Sequence, residues 1–164
     1  MLGIGILMGI AGTLAMDVWA VVLNRIAQIP GPNWGAVGRW VVEVSRGRVF
    51  HASIGDVAEE PGEVRIGWAF HYLVGAIYGL VFMLLAGADW LNNPTFLPVW
   101  AFSLLTIGFG WFLLQPGLGL GWAASKTDTP WRARGLGLLA HTVFGLGMWG
   151  LALAVYAGTQ FWRV

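Results

Sequence analysis

The sequence of 164 residues contains no cysteine, which excludes disulfide bonds, thiolate metal sites and cysteine nucleophiles. It is also poor in charge, because only 10% of its residues are charged, against about 25% in an ordinary globular protein. With 57% hydrophobic residues, the chain has too few charges to cover a water-exposed surface. We therefore expect a lipid bilayer around it. The net charge of +1 gives no indication of a nucleic-acid partner.

Catalytic motifs are missing as well. The chain has no nucleophile motif, no phosphate-binding loop and no paired carboxylates placed for acid–base work in a water-facing loop. Glu59 and Glu60 are adjacent in sequence, so on a helix their side chains would point apart. We therefore do not expect an enzyme.

Long apolar runs are abundant. A membrane-spanning helix needs about 20 mostly apolar residues, and four segments qualify, at about 2–26, 67–91, 96–124 and 135–161. They predict an all-α fold, an integral membrane four-helix bundle that forms a single transmembrane domain over residues 1–164. The first run has no basic residues before it and continues past Asp17, so we expect it to be retained and not cleaved as a signal peptide.

Basic residues are concentrated in two of the links, which predicts an orientation. Lys and Arg collect on the cytoplasmic side of membrane proteins, and the C-terminal end carries only Arg163. We expect an inner-membrane, multi-pass protein with both termini on the outer side. The basic residues of the first link are Arg25, Arg39, Arg46, Arg48 and Arg65, and those of the third link are Lys126, Arg132 and Arg134.

The first link contains a short amphipathic pattern, "NWGAVGRWVVEVSRGRVF". Its apolar residues Val37, Trp40, Val41 and Val44 share one helical stripe, and its charged residues lie mostly off that stripe. This predicts a short helix that either lies in the inner membrane interface or packs on the base of the bundle. The acidic stretch after it, "DVAEEPGEVR", is expected to be a solvated turn region.

Two of the three histidines stand in the same glycine frame. Gly67, His71 and Gly75 repeat with the same spacing at Gly137, His141 and Gly145. A shift of 98 residues also places Asp17 on Gln115, which predicts two parallel two-helix repeats. Each repeat would contribute two buried polar residues at a similar depth, and we expect these to face inward because polar groups are costly in hydrocarbon. The predicted polar layer consists of Asp17, His71, Gln115 and His141.

Small residues flank the histidines. Gly75 and Gly79 form a GxxxG pair, and we expect them, with Gly137 and Gly145, to bring helices close together. The alternative is that these glycines leave room for a flat ligand such as haem. Pro116 interrupts the third span, lacks the N–H that would bond to the carbonyl four residues earlier, and predicts a kink or hinge.

Several stretches resemble a bacterial membrane family catalogued as domain of unknown function 2938. They are "GRW" at 38–40, "RVFHASI" at 48–54, "PGEVRIGWAFHYLVG" at 61–75, "QPGLGLGWAASKTDTP" at 115–130 and "HTVFGLG" at 141–147. The resemblance implies a bacterial four-helix inner-membrane protein and brings no activity with it. It also draws attention to His51, which lies in one of these stretches.

The sequence leaves several functions open. The leading interpretation is a binding or accessory subunit of a larger membrane complex, with a membrane-protein partner or a second copy of the chain. The first alternative is a small-solute or proton-coupled transporter that uses Asp17 and His71. A third is an electron-transfer subunit with haem b between His71 and His141. A metal site at His51, His71 and His141 is a further alternative.

Overall fold

The computed structural model describes residues 1–161, so Arg163 lies outside the described part of the chain. Those residues form helices and turns and contain no strand, which confirms the all-α prediction. The helices are α1 (Leu2–Ala27), α2 (Trp34–Ser45), α3 (Glu63–Ala86), α4 (Phe96–Phe109), α5 (Gln115–Gly117) and α6 (Pro130–Phe161). A π-helical turn, Gly110–Leu114, joins α4 to α5.

Four helical segments are long and apolar enough to cross a membrane, which confirms the four predicted spans and makes the chain a multi-pass membrane protein. Their bounds are Leu2–Ala27, Glu63–Ala86, Phe96–Gly117 and Pro130–Phe161.

The bounds differ from the predicted ones where glycine and proline act. The second span ends at Ala86, before residue 91, because Gly87 has a φ of 77° that a helix does not tolerate. The third span ends at Gly117, well before residue 124, because Gly119 and Gly121 have φ angles of 89° and 73°. The fourth begins at Pro130, whose fixed φ suits the first position of a helix.

The chain forms two compact units, each assembled from segments that are distant in sequence. Unit 1 comprises residues 1–30, 72–105 and 139–161, and unit 2 comprises residues 31–71 and 106–138. Each unit draws on both halves of the chain. Neither therefore coincides with one of the two predicted repeats, and the repeat stays a prediction.

Methionine dominates the core of unit 1. Met8, Met83 and Met148 are completely buried, and the aromatic rings of Phe82 and Phe144 lie among them. Met is flexible and fills irregular gaps between helices. The backbones of α1 and α3 approach closely, since a methyl group on residue 79 would collide with the carbonyl oxygen of residue 5, and one on residue 9 with that of residue 75. Glycine at these positions lets α1 and α3 pack in direct backbone contact.

Helix α2 organises unit 2. The Asn33 side chain caps its start by accepting a hydrogen bond from the Ala36 N–H at 3.0 Å. Trp40 is 3% exposed and packs edge-on against Phe70 and Phe109, with ring centroids 5.9 and 6.5 Å away. The helix predicted in the first link is therefore present.

The buried face of α2 differs from the predicted apolar stripe. Arg39 and Glu43 are buried beside Val37 and Trp40, whereas Val44 is exposed. The helix turns its charges inward because unit 2 supplies each of them with a partner of opposite charge.

Candidate functional site

An intramembrane hydrogen bond joins two helices of unit 1. The hydroxyl of Tyr72, on α3, donates to the Oδ2 atom of Asp17, on α1, over 2.7 Å. Asp17 is half-buried, and one turn before it the fully buried Thr13 hydroxyl donates to the Gly9 carbonyl at 2.9 Å. The sequence indicated Asp17 but not Tyr72, which stands directly after His71 and was not assigned a polar role.

His141 binds the backbone of a neighbouring helix. Its Nδ1 atom lies 2.9 Å from the carbonyl oxygen of Ser103, on α4, and Trp100 donates to the hydroxyl of Thr142 at 3.1 Å. The carbonyl of Ser103 was outside the reach of sequence reasoning, because any helical residue offers a carbonyl and no side-chain pattern marks this one.

The glycine frames of the two histidines are filled in unit 1. A methyl group on Gly75 would collide with the Thr13 hydroxyl, and one on Gly145 would lie 2.8 Å from the Ser103 hydroxyl. Helices therefore occupy the space that a flat ligand would need at these two positions, which disfavours haem b there. Gly137, in unit 2, differs from them, since a methyl group on it would meet Trp111 at an ordinary 3.6 Å.

His71 lies among aromatic rings in unit 2. Its ring centroid is 4.2 Å from that of Trp34, with 31° between the planes, and 6.0 Å from that of Trp68. Trp34 begins α2, so this contact ties α2 to the start of α3. These tilted and edge-on contacts surround the imidazole with indole rings, which the sequence pattern did not indicate.

Gln115 follows a change in helix type. The N–H of Gln115 donates to the carbonyl of Gly110, the five-residue spacing of a π-helix. Its side-chain Oε1 atom is buried and accepts no hydrogen bond from any residue that the structure describes. Buried polar atoms nearly always have a partner, and π-helical turns are frequent at functional sites. The neighbouring Pro116 is buried, and its predicted role as a hinge stays a prediction.

The four residues of the predicted polar layer are divided between the units. Asp17 and His141 lie in unit 1, where they bind Tyr72 and Ser103, while His71 and Gln115 lie in unit 2. The single layer therefore stays a prediction. Among residues 1–161, no group of three His, Asp or Glu side chains is placed to hold a metal ion.

A charged cluster in unit 2 was missed by the sequence analysis. The side chain of Glu43 is only 2% exposed, and its Oε1 atom accepts hydrogen bonds from Arg46 at 3.0 Å and Arg48 at 2.8 Å. The Nε2 atom of His51 lies 3.5 Å from the Oε2 atom of the same carboxylate. Hydrogen bonding to Arg48, followed by that to Arg46, lowers the pKa of Glu43 to about 2.

A second ion pair ties α2 to the start of α3. The guanidinium of Arg39 binds Glu63 through Nε at 2.8 Å and Nη2 at 2.9 Å, and its Nη1 donates to the carbonyl of Val57 at 2.9 Å. The hydrogen bond to Glu63 raises the pKa of Arg39. The expectation of a solvated acidic stretch is therefore wrong for Glu63, and it holds for Glu59, which is 87% exposed.

Sequence comparison places these features in a family. A family model described as protein of unknown function, DUF2938, matches residues 6–155. The chain belongs to the DUF2938 family. No curated protein and no solved structure matches it. The matched DUF2938 region includes all the polar contacts described above, and the family description assigns no activity to any of them.

Proposed function

We propose that this DUF2938 protein is a small transporter of the bacterial inner membrane that moves protons, and that it acts through Asp17. The observation that supports this is the hydrogen bond from Tyr72 to Asp17 within two spans. An ionisable residue in a span costs about 2.5–3.5 kcal/mol by insertion scales and is a functional candidate by default.

The chemistry of the pair suits proton coupling. A carboxyl group binds and releases one proton, and a phenolic hydroxyl can donate a hydrogen bond to its ionised form. Asp17 is half-buried and accepts the hydrogen bond of Tyr72, so a donor is in place for its ionised form.

The backbone of the third span supports the same proposal. Its helix changes from α to π at Gly110, and Pro116 follows within two turns. Irregular backbone at membrane depth is tolerated where it lines a cavity or is buried in protein, and interrupted helices form the binding sites of many transporters. A four-span protomer is small, so we expect a dimer to enclose the path.

Proton flux into vesicles tests the function directly. The purified protein is reconstituted into liposomes with a trapped pH-sensitive dye, and flux is started by an imposed membrane potential. Asp17→Asn is expected to abolish the flux, and Tyr72→Phe to reduce it. Tyr78→Phe, on the same helix, and Asp89→Asn, outside the spans, are the matched controls and should retain it.

Two results would contradict transport. One is flux equal to that of empty liposomes for the unchanged protein, and the other is full flux in a folded Asp17→Asn variant. A stable complex with a second membrane protein after gentle solubilisation, together with no flux, would favour the accessory-subunit function instead.

The proposed orientation places both long links in the cytoplasm. It is supported by exposed basic residues in each of these links, including Arg48 and Lys126. Because the sequence contains no cysteine, a single introduced cysteine is the only thiol in the chain that a maleimide can label. Ser125→Cys should be protected from a membrane-impermeant maleimide in intact spheroplasts, and Asn92→Cys should react. The reverse pattern would contradict the orientation.

A further inference from the structure

His51 lies in the link between α2 and α3 and is almost enclosed, with 9% of its side chain exposed. Its Nδ1 atom is 2.9 Å from the carbonyl oxygen of Gly117, and its Nε2 atom is 3.5 Å from the Oε2 atom of Glu43. Nε2 is buried and makes no hydrogen bond to any residue that the structure describes. The ring thus has one nitrogen that makes a hydrogen bond and one that lies at ion-pair distance from the Glu43 carboxylate.

Both nitrogens face oxygen atoms that only accept hydrogen bonds. A carbonyl cannot donate, so Nδ1 must carry the hydrogen that bonds to Gly117. In the neutral ring, Nε2 then directs a lone pair at Glu43, whose low pKa keeps it ionised above about pH 2. In the protonated ring, both nitrogens donate, and Nε2–H points at a carboxylate. Protonation therefore supplies the hydrogen that this contact lacks.

The carbonyl that His51 binds ends the third span. Gly117 is the last residue of α5, at the end of the span where the helix dipole favours a positive charge. The loop of His51 lies directly on the turn that follows, because the Ile54 N–H donates to the Leu118 carbonyl at 3.1 Å. A methyl group on Gly119 would collide with the carbonyl of Ala52. A change in the hydrogen bonding of His51 is therefore expected to alter the stability of the turn that follows Gly117.

The other charges near His51 act in both directions. Arg46 and Arg48 already share the Glu43 carboxylate, and a third positive charge beside them is unfavourable. Glu60 pairs with Arg46 and offsets part of that charge. From α2, Trp40 packs against Gly117 and brings no charge. From the end of the third span, the group that faces the ring is the Gly117 carbonyl.

We propose that His51 is a proton-operated clamp, which on protonation bridges Glu43 of α2 and the carbonyl of Gly117 and holds the turn at 117–121 more tightly. The clamp closes when the imidazole takes up its second proton, because both ring nitrogens then donate to oxygen atoms. It regulates the end of the third span, and it stands whether or not the protein carries protons.

The protonation state is measured on the full chain in lipid nanodiscs. Long-range 1H–15N spectra of 15N-histidine-labelled protein separate the two neutral tautomers from the doubly protonated ring, and the three histidines are assigned with His71→Gln and His141→Gln. Between pH 8 and 5.5, His51 is expected to change from the Nδ1–H tautomer to the doubly protonated ring. An Nε2–H tautomer, or a ring still neutral at pH 5, would overturn the proposal.

Hydrogen exchange measures the clamp itself. After correction for the intrinsic pH dependence, protection of the amides at 118–121 should rise about tenfold between pH 8 and 5.5, the effect expected of one hydrogen bond to a charged group. His51→Gln should remove this rise, because glutamine still donates to Gly117 but does not titrate. His141→Gln should retain it, since it removes a histidine that also faces a backbone carbonyl. An equal rise in His51→Gln would overturn the proposal.

Discussion

Trp40 lies directly over Gly117, so that a methyl group on residue 117 would collide with the indole nitrogen. That nitrogen also donates to the Val49 carbonyl at 2.8 Å, which fixes the ring in place. The indole therefore cannot move aside without losing this hydrogen bond. Because Gly117 has no side chain, the turn at Pro116 can lie in direct contact with Trp40 of α2.

Gly117→Ala is therefore expected to destabilise the protein by about 1–3 kcal/mol, the usual cost of overpacking. Chemical unfolding in detergent micelles, followed by tryptophan fluorescence, measures this change. Gly108→Ala is the matched control, because the nearest atom to a methyl group there would be in the Phe112 side chain, at an ordinary contact distance of 3.8 Å. A control variant as unstable as Gly117→Ala would show that the Trp40 contact is not the cause.

The backbone contact in unit 1 makes a second prediction. Gly79→Ala is expected to cost about 1–3 kcal/mol, because its methyl group would meet the backbone carbonyl of Gly5, which cannot rotate away. Gly137→Ala has room for the same group and should be neutral. Thermal unfolding of both variants in one detergent compares them, and equal midpoints would contradict the prediction.

Glu43 predicts a loss of stability in acid. Its pKa is lowered to about 2 in the folded protein, so its contribution is fully present above the pKa of an ordinary glutamate and is lost as the pH falls toward 2. The thermal midpoint should therefore drop between pH 5 and pH 3. In Glu43→Gln this drop should be smaller, whereas Glu59→Gln, whose side chain is 87% exposed, should behave like the unchanged protein.

We expect that a positive charge at position 39 is not enough to stabilise unit 2 and that the guanidinium shape of Arg39 is required. Its planar guanidinium binds both oxygens of Glu63 and, through Nη1, the carbonyl of Val57. Lysine cannot reproduce this fork, so Arg39→Lys is expected to cost about 2 kcal/mol, the loss of at least one charged hydrogen bond. Arg65→Lys, at an exposed position of the same unit, is the control for chemical unfolding. Retained stability in Arg39→Lys would show that the fork is dispensable.

The spans could be predicted from the sequence because apolar length is a property of the chain alone. The ends of the spans were less predictable. The second span ends at Ala86 because Gly87 has a positive φ, but the sequence does not show which of its 25 glycines adopts such a conformation. The helix of the first link was also predictable from its periodicity. Its buried face was not, because a buried Arg39 requires Glu63, which stands 24 residues away.

The site was predictable only residue by residue. Asp17 and His141 stand out as polar residues in apolar runs, but their partners do not. Tyrosine is common in apolar runs, so Tyr72 attracts no notice, and the partner of His141 is the backbone carbonyl of Ser103, which no side-chain pattern marks. His51 required the resemblance to known sequences. The spacing Arg39–Glu43, one helical turn apart beside Trp40, was the available signal for a charged buried face, and it was outweighed by the valines.

The π-helical turn at Gly110–Leu114 has a consequence for the comparison of the two halves of the chain. Such a turn takes in one residue more than an α-helical turn, which rotates everything after it by about 100° relative to a continuous α-helix. In α1 the path from Gly12 to Asp17 is wholly α-helical, whereas the path from Gly110 to Gln115 passes through this turn. Gln115 and Asp17, aligned by a shift of 98 residues, therefore point in different directions about their own helix axes. If the two halves share an ancestor, the polar residue of one half has since rotated about its helix axis while its position in the sequence stayed the same.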